Sequence, residues 1–308
     1  MKARRRTTAM AAVCLAVSLA ASVMALLRVD RIRPNAPLED ALYVTSPKIV
    51  ERASLGFNGL AACMYWTRAV QYFGHRHFEY GESYNELAPL LEIATHLDPH
   101  LTVVYHFGAS FLAPRPPGGA GQPVRAIQLM EYGIQNNPDD WKLYYDLGFV
   151  YYTELKNYAK ASDAFARGAL VPGAHPSMRI LAARMAEHAG DIETARILWT
   201  ETLESNHDDQ IKANAAEHLR GLKVDEDVMN LEAAVDRFKQ RMGRLPLTMF
   251  ELASAEGIRG VPIDPDGHAY LLTIDGRIEV QHPDDFSFAT RGLPPGFKPP
   301  PPKFHTKS

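Results

Sequence analysis

A recurring spacing constrains this chain more than any other feature. Ala126, Met130, Gly133 and Pro138 stand at offsets 0, 4, 7 and 12. Ala161, Phe165 and Gly168 repeat the first three, with Pro172 one residue early, and Ala195, Trp199 and Thr202 repeat them again. Leu91, Ala94 and Pro99 form a weaker, earlier copy. Small, large and small side chains at these offsets share one helix face, and the proline ends the helix. A unit of this kind cannot bury its face alone, so several copies must stack on one another. A stack offers an extended surface, and the expected mode of action is binding.

The first helices of the units are also readable. Trp141, Tyr144, Leu147, Gly148 and Tyr151 open the clearest unit, and Asn157-Tyr158 lead into its second helix. There Gly148 is expected to let the two helices approach, with Phe165 filling the space toward the next pair. In the preceding unit Phe107, Gly108 and Phe111 take the equivalent places, followed by a turn swollen with Pro114 to Gly121 that is expected to be mobile. The next unit runs from about Pro176 to His207, with Ala182-Ala183 in place of Leu-Gly and a turn at Gly190-Asp191. Leu55 to Tyr80 and Tyr84 to Leu97 read as an earlier helical pair, and Gln210 to Leu222 as a closing helix. Residues of roughly 84–222 resemble a tetratricopeptide-repeat solenoid, whose period is about 34 residues.

That resemblance implies a concave face lined by positions 2, 5, 9, 12 and 13 of each first helix. In the third unit these are Lys142, Tyr145, Phe149, Tyr152 and Thr153, and in the fourth Ser177, Ile180, Arg184, Glu187 and His188. Tyr105 takes position 5 of the second unit. Exposed in one groove, the aromatic residues suit an apolar or proline-rich peptide, with Lys142 and Arg184 available for a carboxylate. The alternative is that these rings pack against a neighbouring helix or the C-terminal segment.

Beyond the repeats, Asp225 to Met242 is predicted to be an amphipathic helix ended by Gly243, with a short helix over 247–255. Asp275-Gly276, between the short strands expected over 271–274 and 277–280, predicts a β-hairpin. The block 228–281 resembles the soluble part of type IV pilins and type II secretion pseudopilins. The matching residues are Gly243, Arg244, Pro246, Leu252, Pro262, Asp264, Pro265, Gly267 and Tyr270. No prepilin cleavage signal precedes the helix, so the block is read as a grafted module and not a filament subunit. From His282 to Ser308 the proline-rich tail is expected to be extended or disordered, without a core to join.

At the other end, Lys2, Arg4, Arg5 and Arg6 precede an uncharged run from Thr7 to Leu27. As a helix these 21 residues rise about 31 Å, enough for a bilayer core of about 30 Å. The positive cluster comes first, which keeps the N-terminus cytoplasmic and exports the rest. The competing reading is a signal peptide cleaved near Ser18-Leu19-Ala20. The expected setting is a bacterial inner membrane, single-pass, with most of the chain periplasmic.

Among candidate sites, Glu92, His96, His100 and His106 are spaced for a metal, but Pro99 interrupts the helix that would align them. Asp264, Asp266 and Asp275 could ligate calcium, yet Asp-Pro and Asp-Gly are ordinary turn formers. The two cysteines, Cys14 and Cys63, form no framework, and no Gly-x-Ser-x-Gly elbow or phosphate loop occurs. A net charge of −3 gives no case for nucleic acid.

The chain is thus read as mainly α. Residues 1–27 form an anchor, 28–54 a linker, 55–222 a TPR-like solenoid, 223–281 a small α+β module and 282–308 a tail. No enzyme activity, cofactor or metal is expected. The expected role is a scaffold binding protein segments, among them pilin or secretion components, during assembly of an envelope machine. An adaptor for another envelope system, such as polysaccharide export, and a metal-dependent hydrolase are the alternatives.

Overall fold

The computed structural model describes residues 2–32, 46–80, 83–298 and 300. The chain divides into two units, one up to Asp98 and one from Pro99.

The first unit contains α1 (Lys2–Ile32), α2 (Pro47–Ala53), α3 (Asn58–Phe78) and α4 (Leu87–Leu97). Side chains of α1 are described from Val13 to Arg28, and its larger apolar ones are exposed. Among the described residues no helix is long and apolar enough to cross a membrane, and the side chains of 1–12, part of the expected anchor, lie outside them. Helix α4 forms the core of the unit, with Leu87, Leu90, Leu91 and Ile93 buried against α3 and α2. The expected linker over 28–54 therefore contains a helix, while its residues 33–45 lie outside the described ones. The helix expected from Leu55 begins at Asn58, because Leu55 and Gly56 turn the chain through positive φ values of 50° and 91°.

The second unit is mainly helical and consistent with an α-solenoid. Helices α5 (Thr102–Leu112) and α6 (Pro123–Asn136) pair, as do α7 (Trp141–Thr153) with α8 (Tyr158–Ala169) and α9 (Ser177–Ala189) with α10 (Ile192–Ser205). The second helix of each pair also packs on the helix that follows it. Local chemistry sets the starts. Asp140, Asn157 and Asp191 accept hydrogen bonds from the backbone N–H of Lys142, Lys160 and Thr194 at 3.1, 3.1 and 3.0 Å.

Close packing sets the spacing between helices. A Cβ on Gly148 would lie 2.5 Å from the Phe165 ring, one on Gly133 2.8 Å from the Tyr105 ring, and one on Gly168 2.7 Å from Tyr144. The turn after α5, expected to be mobile, is folded back on that helix. Ala120 N–H donates to Phe111 O at 2.9 Å and Gln122 N–H to Leu112 O at 2.7 Å. These bonds satisfy carbonyls that the end of α5 leaves open.

No helix break marks the boundary expected near 222. One helix, α11 (Asp209–Met242), runs for 34 residues through the proposed closing helix and the first helix of the module. Nothing between Leu222 and Asp225 breaks a helix, and Val224 is fully buried. Gly243 ends it in the left-handed conformation, φ 71°. Helix α12 (Met249–Glu256) follows, then the expected hairpin of β1 (Leu271–Leu272) and β2 (Ile278–Glu279), with Leu271 opposite Glu279. Gly276 N–H donates to Thr273 O across the turn at 3.0 Å.

The tail also departs from expectation. Phe286 and Ala289 are buried in one core with Val224, Val228, Phe238 and Tyr270. Thr290 N–H, Thr290 Oγ1–H and Arg291 N–H donate to the Asp225 carboxylate at 2.8, 2.7 and 2.7 Å. Gly292 O accepts from Val280 N–H at 2.8 Å. The segment 282–293 is therefore part of the module, while 301–308 lie outside the described residues.

Candidate functional site

The second unit carries a cavity of about 440 Å³ lined by three successive first helices. Helix α5 contributes His106, Phe107 and Ser110, α7 contributes Trp141, Lys142, Tyr145 and Asp146, and α9 contributes Ser177. Ser177 also borders a second hollow of about 640 Å³, which includes Ile180, His207 and Ile211. Positions 2 and 5 of the third and fourth units, Lys142, Tyr145, Ser177 and Ile180, thus line one or both hollows.

Tyr105 does not lie there. It is fully buried, and its hydroxyl donates to Pro99 O at 3.0 Å. Tyr144 does the same in the next unit, donating to Pro138 O at 3.3 Å, again six residues back. The ring of Tyr105 sits on Gly133 as that of Tyr144 sits against Gly168. The two tyrosines are therefore equivalent, and the expected alignment of the second unit is one residue out. One residue is about 100° of helix rotation, enough to exchange a core position for a surface one. Shifting by one puts His106, not Tyr105, at position 5, where it lines the cavity. The Pro-to-Tyr separation of six, common to both units, is the sequence signal that would have set this register.

His106 is the polar centre of the cavity. Its Nδ1 lies 2.6 Å from Asp146 Oδ2 and its Nε2 3.4 Å from Asp140 Oδ2. The hydrogen bond to Asp146 raises its pKa above the ordinary histidine value, with further help from the Asp140 charge, against an opposing effect of burial. Even with His106 protonated, the two carboxylates leave this wall one negative charge in excess. Lys142 is exposed, and among the described residues its ammonium has no hydrogen-bond or ion-pair partner. Trp141 and Tyr145 stand edge to face beside it, with ring centroids 6.4 Å apart.

The remaining expected groove residues divide. Phe149 is half-buried between Tyr145, at a centroid distance of 4.6 Å, and Phe165, at 5.6 Å. Tyr152 rests on Phe149 and Tyr158. Arg184 is exposed and, among the described residues, unpaired. His188 is exposed beside the Tyr158 ring. Glu187, by contrast, points into the joint between α9, α10 and α11. It accepts from Trp199 Nε1–H and pairs with His218 Nδ1, both at 2.8 Å. The His218 ring is sandwiched between Trp199 and Phe288, at 4.0 and 3.6 Å.

The metal candidates are engaged elsewhere. His96 faces Glu51, His100 faces Asn137 and His106 faces Asp146. Asp266 pairs with Arg220 and Asp275 with Arg277, while Asp264 Oδ1 accepts from the N–H groups of Asp266 and His268, both at 2.9 Å. Among the described residues no group of three His, Cys, Asp or Glu could hold a metal ion.

Compared with known proteins, the chain matches no family profile and no curated protein. The cavity's own chemistry is therefore the basis for a functional reading. It offers the rings of Phe107, Trp141 and Tyr145, the ammonium of Lys142 and a histidine held between two carboxylates.

Proposed function

We propose that the chain is a tetratricopeptide-like scaffold that holds an extended segment of a partner protein across the concave face of α5, α7 and α9. The observation that carries this reading is the cavity shared by Phe107, Trp141, Tyr145 and the unpaired Lys142. Aromatic residues supply contact area at low entropic cost, and the lysine favours an acidic side chain or a chain terminus beside an apolar anchor. Further, we place the scaffold at a bacterial inner membrane, held by the uncharged run Thr7–Leu27. Its partners are components of a type IV pilus or type II secretion machine, by analogy with the pilin-like block at 228–281. An adaptor for another envelope complex is the second reading, favoured by the departures of that block from a filament subunit.

A photo-crosslinking residue at position 145, compared with one at Lys160 on α8, tests the groove in intact cells. Adducts to pilus or secretion components from position 145 alone are the expected result. The same adducts from both positions, or none from 145, would remove the groove from the reading. Tyr145→Ala with Lys142→Glu should then abolish capture of the identified partner while the helical circular-dichroism signal is retained.

A further inference from the structure

The first unit exposes a face that its own packing does not use. Helix α3 buries Ala62, Ala69 and Tyr72 and packs on α4. Its opposite stripe is Leu60, Cys63, Met64, Thr67, Val70 and Gln71, all exposed and none charged. Leu60 and Met64 are 64% and 66% exposed, and Leu55 and Phe57 extend the patch at 85% and 69%. Scattered apolar residues are normal on a surface, but a continuous uncharged stripe marks a contact face.

Charge identifies what the stripe contacts. Between Ser46 and Tyr80 stand Lys48, Arg52, Arg68 and Arg76 against Glu51 and Glu79, the latter paired with His75 at 3.2 Å, whereas the whole chain carries −3. Lys48 and Arg52 are exposed just before the stripe, and His75, Arg76 and His77 close the helix beyond it. An uncharged face preceded by exposed cations matches acyl chains bordered by anionic headgroups. The stripe also begins about 30 residues after the Thr7–Leu27 run, which keeps it close to any bilayer that run enters. We infer that α3 lies on an anionic membrane surface, with Leu55, Phe57, Leu60 and Met64 inserted at the headgroup boundary. This rests on the membrane anchoring proposed above, but not on the groove.

The chain supplies its own probe. It has two cysteines, and Cys63 lies within the stripe while Cys14 lies within the uncharged run. Cys14→Ser leaves Cys63 as the only thiol for an environment-sensitive fluorophore, and Cys63→Ser leaves Cys14 to report on the anchor. The full chain is reconstituted in vesicles of phosphatidylcholine and phosphatidylglycerol carrying nitroxide lipids at shallow or deep positions. The expected result is deep quenching at Cys14 and shallow quenching at Cys63, the latter lost in Leu60→Asp with Met64→Asp and weakened in vesicles without phosphatidylglycerol. Deep quenching at Cys14 with Cys63 open to aqueous iodide overturns the surface contact and leaves the anchor standing. No lipid quenching at either position overturns both. Protection of Cys63 that depends on protein concentration and not on lipid assigns the stripe to a second copy of the chain and overturns the proposal. Thr67→Cys in a chain lacking both native thiols repeats the measurement one turn along, in case the label at 63 disturbs the helix.

Discussion

In the stack of α5 to α10 the helices meet where glycines face rings, Gly133 on Tyr105 and Gly148 on Phe165, whereas in the C-terminal module a buried carboxylate, Asp225, holds a returning tail. The first kind of joint is apolar and uses few residues, which leaves side chains on the concave face free for a partner. The second is polar and engages several of the module's charged and hydroxyl groups, although Asp264 Oδ2 and His268 Nδ1 are buried without a hydrogen-bond partner among the described residues. Tyr270 donates its hydroxyl to Asp227, Asp266 pairs with Arg220, and Arg244 pairs with Glu251 beside the Phe238 ring. The contrast is one of joints: rings on glycines in the stack, hydrogen-bonded charges in the module.

The two regions share the joint at Trp199, so its loss should have the largest effect. Trp199→Ala removes a fully buried ring, its bond to Glu187 and one face of the His218 sandwich. A cost of about 3–5 kcal/mol is expected, with stack and module unfolding together at lower denaturant. A module that keeps its midpoint would show that the joint does not couple them.

Asp225→Ala separates the regions instead. It leaves the N–H groups of Thr290 and Arg291 without their acceptor, at a cost of about 1–3 kcal/mol. Limited proteolysis should then cut within 282–298 first, while the α5–α10 fragment persists. An unchanged cleavage pattern would mean that apolar burial of Phe286 alone secures the tail.

A paired glycine test sharpens the account of the stack. Gly148→Ala forces a methyl to 2.5 Å from Phe165, an overpacking cost of about 1–3 kcal/mol that outweighs a helix-propensity gain of about 1 kcal/mol. Gly74→Ala, in α3 with nothing within 4 Å of the new atom, should stabilise by roughly 0.5–1 kcal/mol. Thermal denaturation should therefore give opposite signs, and matching signs would refute the close-approach argument.

The smallest effect concerns the cavity wall. Because His106 has a raised folded pKa, its pairing with Asp146 and Asp140 stabilises fully below about pH 6.5 and fades as pH climbs through the folded value. The group is partly exposed, so about 1 kcal/mol or less is at stake. The melting-temperature gap between the native chain and His106→Gln should narrow as pH rises. A constant gap would assign His106 a packing role only.

Much of this was legible because its causes are local. Helix caps at Asp140, Asn157 and Asp191, the hairpin turn at Gly276 and the small–large–small faces depend on residues a few positions apart. The phase of the first helices was legible in the third and fourth units, where Leu147-Gly148 and Ala182-Ala183 are buried. It was misread in the second, where Gly108 and Ala109 are both small and buried and either could stand for the repeat glycine. The tail was misread because its prolines dominate its composition, while its partner Asp225 is 65 residues away.

Local sequence preferences alone determined that this chain pairs helices, where several of them start, and which end carries a hairpin. Those outcomes follow from backbone preferences and helix-face periodicity, which act over a turn or two. Only the tertiary structure decided that α11 runs unbroken through the expected boundary, that Phe286 and Phe288 return to it, and that His106 replaces Tyr105 on the groove wall. Each of these is settled by which surfaces meet across tens of residues, where a rotation of one position or one distant hydrogen-bond acceptor changes which side chain is buried.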